Sequence, residues 1–151
     1  MSLAMHSKFT YLAWLITAVV LVALNGVFHG VVAADFFDTH FAPLGAAVLK
    51  MARFRVAPVI ALDFVLAFVL LVFVTRWRAE PVPVREAMRT GALFYFATSA
   101  TWNIGNSATF VSWAPVMTMV DVCWHVATGL VAGWLVATVF NRRWRTGMGA
   151  M

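Results

Sequence analysis

The sequence predicts an all-α protein, a four-helix transmembrane bundle with both termini in the cytoplasm. Three observations predict it. Hydrophobic residues make up 63 % of the 151 positions and charged residues only 11 %, too little charge to cover a soluble domain of this size. Four apolar segments reach membrane length, at residues 11–34, 56–75, 90–110 and 115–140. The basic residues are shared unevenly between the segments that connect them. The length leaves room for a single domain, residues 1–151.

The first segment, "YLAWLITAVVLVALNGVF", follows Lys8 and precedes "VVAAD", an arrangement that imitates a signal peptide. Its apolar run of about twenty residues matches a full span rather than a short signal core, so it is expected to stay as a helix. "FAPLGAAVLKMARFR" leads into the second span as a short amphipathic piece in the interface. "RWRAEPVPVREAMR" is charged, holds Pro81 and Pro83, and reads as the hairpin loop before the third span. The uncharged turn "FVSWAP" makes the third and fourth spans antiparallel neighbours, and Pro115 opens the fourth, where its missing N–H is harmless. In lipid each segment satisfies its backbone internally only as a helix, since the alternation of a barrel strand is absent.

Topology follows from charge. Lys8, Arg76, Arg78, Arg85, Arg89, Arg142, Arg143 and Arg145 fall on one side, against Lys50, Arg53 and Arg55 on the other. The side with the excess is cytoplasmic. Trp77, Trp113 and Trp144 lie at helix ends, where indoles prefer the interface. The net charge of +5 comes from these clusters at span ends, so no nucleic-acid partner is expected. The one cysteine, Cys123, excludes an internal disulfide and any Cys-x-x-Cys site. In an apolar helix it is expected to be a small buried residue.

Within the spans the polar residues gather at one depth. Measured from the outer end of each helix at 1.5 Å per residue, Asn25 lies roughly 14 Å in, Asp63 roughly 12 Å, Asn103 roughly 10 Å and Asp121 roughly 12 Å. Asn25 and His29 share a helix face, as do Asp121 and His125. Asn103 and Asn106 share another with Ser99 a turn away. An intramembrane aspartate costs about 2.5–3.5 kcal/mol on insertion scales, so such groups face the interior and find partners. The expectation is a buried polar cluster of Asp63, Asp121, Asn25, Asn103, Asn106, His29 and His125, with Asp35, Asp38 and His40 in the loop at its mouth. His29 and His125 differ in depth by about 10 Å, which argues against haem between them. Asp35, Asp38, His40 and His29 lack a metal-ligand spacing, so neither a metal nor another cofactor is expected. Gly129-x-x-x-Gly133 is a close-packing pattern that also arises by chance in apolar helices.

"NGVFHG" (25–30), "WNIGNSAT" (102–109), Trp113 and "VDVCWH" (120–125) resemble, in order along nearly the whole chain, a family of bacterial membrane proteins, domain of unknown function family 2177. That family's pattern has Asp-x-x-Trp-Leu-Gly late in the first helix, Tyr-Asp-Leu-Thr-Asn-x-Ala-Thr in the third, and Val-Asp-x-x-Trp-Gly in the fourth. Asn25 and Asn103 stand where it has Asp, Phe28 where it has Trp, His29 where it has Leu, and His125 where it has Gly. Asn106 and Asp121 carry over best. The resemblance implies the fold and a multi-pass place in the bacterial inner membrane, and implies no activity.

No nucleophile motif or dinucleotide fingerprint is present, which leaves an enzymatic activity open. The leading expectation is an outward-side pocket that binds, or helps to process, a lipid-like amphipathic molecule. Its tail would lie among the apolar helices and its head at Asp121, Asn103 and Asn106. A structural or accessory subunit of a membrane complex is the alternative, and a proton-coupled transporter the third class. Membrane lipids are expected contacts, with a second copy or a complex partner as further candidates.

Overall fold

The computed structural model describes residues 8–45, 56–75, 81–110 and 112–142. The first apolar run forms α1, Lys8–Val27, and then widens into a π-turn over Phe28–Val32, where the Ala33 N–H reaches back to the Phe28 carbonyl at 2.7 Å. A short helix, α2, follows at Ala34–Phe41. The first span was expected to run unbroken to residue 34 and then pass into a loop. Instead Asp35, Asp38 and His40 lie on α2. The physical reason is local: Phe37 and Phe41 share one face, while Asp35 in the first turn and His40 in the last complement the helix dipole. A single 3₁₀ turn ends at Gly45, whose φ of 80° suits a residue without a side chain. The interfacial piece expected before the second span falls largely on residues 46–55, outside the described residues.

Helix α3 spans Val56–Thr75 and α5 spans Pro115–Phe140, both as expected. Helix α4, Val84–Thr109, begins six residues before the expected 90. Pro83 holds extended backbone at its N-cap, after which nothing from Val84 to Arg89 opposes a helix, and Glu86 favours the first turn. The described residues immediately before α4 are 81–83. They are tied to the end of α5 by a reciprocal pair: the Val82 N–H donates to Asn141 Oδ1, and Asn141 Nδ2 donates to the Val82 carbonyl, both at 2.8 Å.

The protein is all-α among the described residues. Three stretches, Lys8–Val32, Val56–Thr75 and Pro115–Phe140, are long and apolar enough to cross a membrane. Among the described residues apolarity thus marks three of the four expected spans. Helix α4 has the length, but Thr98, Ser99, Thr101, Asn103, Asn106, Ser107 and Thr109 dilute its C-terminal half.

The closest pairing is α4 with α5. A methyl group built on Gly129 would stand 2.5 Å from the Gly91 carbonyl oxygen and 2.9 Å from Tyr95 Cβ. One built on Gly91 or Gly133 would meet the backbone of Gly129 or Ala87. The Gly129-x-x-x-Gly133 pattern is thus a true packing surface, and its counterpart on α4 is Ala87 with Gly91. Helix α1 packs on α3 and α5, and the Trp14 indole N–H donates to the Phe64 carbonyl at 2.9 Å. Two apolar clusters result. The larger holds Leu21, Leu70, Leu71, Tyr95, Val136 and Phe140. The smaller, at the other end, gathers Phe37 and Met117 with Phe28, Phe36, Phe41 and Trp113.

Candidate functional site

Between these clusters lies the polar layer. Asp121 is its centre. Ser99 Oγ and Asn103 Nδ2 on α4 each donate to Asp121 Oδ2 at 2.7 Å. His29 Nε2, from the π-turn, lies 3.2 Å from Asp121 Oδ1, and His125 Nδ1 lies 3.3 Å from the same oxygen. The ring orientations are fixed by the backbone: His29 Nδ1 donates to the Asn25 carbonyl at 3.1 Å, and His125 Nδ1 to the Asp121 carbonyl at 2.8 Å. A second knot sits beside the first. Asn25 Nδ2 donates to Asp63 Oδ1, and Trp124 Nε1 donates to Asn25 Oδ1, both at 2.9 Å. All four long helices contribute, as the common depth of Asn25, Asp63, Asn103 and Asp121 predicts.

The two histidines depart from expectation. Their ring centroids are 5.9 Å apart, although depth along the helices separates them by about 10 Å. Side chains on a helix lean toward its N-terminus. On two oppositely directed helices, His29 and His125 therefore lean toward each other, and they meet at one carboxylate. Asn106 departs too. It lines a groove on the outer face of α4 with Phe94, Thr98, Thr101, Trp102 and Thr109, because three residues from Asn103 is about 60° short of a full turn. Asp35, Asp38 and His40 are carried on α2 rather than on a loop, and Thr39 Oγ1 and His40 Nδ1 donate to carbonyls of that helix, both at 2.8 Å. Cys123 is exposed rather than buried. Among the described residues no group of three or more His, Cys, Asp or Glu is arranged to hold a metal ion.

Residues that the sequence did not single out complete the surroundings. Phe28 and Trp124 stack with centroids 4.1 Å apart and planes within 7°. On their lipid side is an apolar groove of about 430 Å³ lined by Val20, Ala23, Leu24, Val27, Phe28, Val32 and Trp124. Directly behind Trp124, through its bond to Asn25, lies Asp63. Tyr95 stacks on His125 at 6.3 Å. Phe37 of α2 approaches His29 with centroids 5.1 Å apart, so the aromatic cluster covers the α2 side of the layer. The stacked pair could have been suspected from the sequence, since Asn25 with Phe28 and Asp121 with Trp124 repeat one three-residue spacing beside a polar residue.

These features define a class: a small multi-pass helical membrane protein with a polar layer enclosed between apolar clusters. The chain belongs to the family described as predicted membrane protein (DUF2177), which it matches over residues 10–138. No match was found among curated proteins or among solved structures.

Proposed function

We propose that this integral membrane protein binds an amphipathic, lipid-like molecule at its polar layer. Helices α1, α3, α4 and α5 would cross the bilayer with both termini in the cytoplasm, which sets the layer in the outer half. The observation that carries the reading is one adjacency. An apolar groove between α1 and α5 has as its wall the Phe28–Trp124 pair, and the Trp124 indole N–H donates to Asn25 of the Asn25–Asp63 knot behind it. A tail-holding surface beside a few convergent polar groups is the general form of a site for such molecules. In this reading Asp121, with four partners already, positions its neighbours, and the head group is received on the Asp63 side. Native mass spectrometry of the protein released from bilayer nanodiscs tests it. A bound lipid-like mass is expected, and Leu24→Trp, which fills the groove, is expected to abolish it. A bare protein, or a mass untouched by Leu24→Trp, refutes the reading.

The completeness of the Asp121 network favours a second reading, in which the layer only fixes helix packing and the protein serves as a structural subunit. On that reading Leu24→Trp leaves every bound molecule in place, while Asp121→Asn disrupts assembly.

A further inference from the structure

Among the described residues three buried side-chain atoms have no hydrogen-bond partner, Thr17 Oγ1, Asp63 Oδ2 and the Tyr95 hydroxyl, and the last two belong to residues that border the polar layer. These two residues are 4 % and 0 % exposed. Tyr95 lies against His125, which contacts Asp121, and Asp63 holds Asn25, so both residues border the layer. Leaving such a group unsatisfied is costly, so the pair is a poor choice for packing alone. The carboxyl oxygen calls for a donor, and the phenol offers a donor. The neighbouring carboxylate oxygens are committed: Asp63 Oδ1 to Asn25, and Asp121 to Ser99, Asn103 and the two histidines.

Resting on the binding reading above, we propose that the head group taken here is a neutral hydroxyl, and the ligand a long-chain or isoprenoid alcohol. One hydroxyl donates to Asp63 Oδ2 and accepts from the Tyr95 phenol, meeting both needs with one atom. A carboxylate or phosphate head offers only acceptors when ionised and would bring a third acidic group beside Asp63 and Asp121. Trp124 stands between groove and site, stacked on Phe28 and bonded to Asn25. The test uses dodecanol, dodecanoate and dodecyl phosphate, each titrated into the full chain in nanodiscs. Binding is read as the change in tryptophan emission that is lost in Trp124→Phe, with bound mass confirmed by native mass spectrometry. Dodecanol should bind about tenfold more tightly than either anion, as the loss of one hydrogen bond and the added charge beside the layer predict. Tyr95→Phe and Asp63→Asn should each erase most of that preference while dodecanol still enters the groove. Equal or tighter binding of an anion, or an alcohol preference intact in both variants, overturns the head-group assignment and leaves the groove reading standing. Binding of none of the three overturns both.

Discussion

Replacing Asp121 by asparagine keeps the shape of the side chain and removes its capacity as an acceptor on one atom. Four polar atoms from three segments converge on the two oxygens: Ser99 Oγ and Asn103 Nδ2 at 2.7 Å on one, His29 Nε2 and His125 Nδ1 at 3.2 and 3.3 Å on the other. An amide nitrogen at either position faces two groups without accepting from them. Hydrogen bonds between membrane helices are individually worth about 0.6 kcal/mol and at most about 1.7, so two lost bonds account for roughly 1–3 kcal/mol. The donors left unpaired raise this toward about 4 kcal/mol. For a chain of this length each kcal/mol corresponds to about 2–4 °C in Tm. Asp121→Asn should therefore lower the melting temperature by on the order of 5–15 °C. Asp63→Asn should change it by much less, because only Oδ1 is bonded and an amide oxygen can take that place. Thermal unfolding of both variants in the same lipid, followed by circular dichroism, measures the contrast. Equal melting temperatures for the two would refute the arrangement of the layer.

Gly129→Ala should separate α4 from α5, since its Cβ would stand 2.5 Å from the Gly91 carbonyl oxygen with only backbone to yield. We expect a loss of at least about 2 kcal/mol, the cost of overpacking, seen as reduced accumulation and a lower Tm. Gly26→Ala, which meets nothing within 4 Å, should be neutral in the same assay. For topology, a phosphatase reporter that is active only outside the cytoplasm should be silent when fused after Met151, and strong activity there would place the layer in the inner leaflet.

Much of this architecture could be read from residue spacing, and the failures share a cause. Helices α3 and α5 stood out because unbroken apolar runs end at Thr75 and begin at Pro115. The polar layer stood out because rise per residue is a property of the backbone, so Asn25, Asp63, Asn103 and Asp121 align whatever their side chains do. Depth along an axis says nothing of the direction a side chain leans, which is why the meeting of His29 with His125 was missed. Rotation was available and underused. Two residues turn a helix by about 200°, so an inward Asp121 already requires Cys123 to face outward. By the same reasoning, with Asn103 turned inward, Asn106 falls beside the inner face rather than on it. The orphaned atoms of Asp63 and Tyr95 were beyond reach, because satisfaction depends on which neighbours tertiary packing supplies. Gly91 was overlooked because one glycine has no pattern until its partner helix is known.

The central claim is that an amphipathic molecule binds at the α1–α5 groove. A long-chain alcohol carrying a photoactivatable diazirine, cross-linked to the protein in nanodiscs and mapped by peptide mass spectrometry, tests it directly. The account predicts adducts concentrated on Val20, Ala23, Leu24, Val27 and Trp124, which line that groove, and displaced by excess dodecanol. Adducts spread evenly over the lipid-facing residues, or concentrated on the α4 groove at Thr101, Trp102 and Asn106, would contradict it.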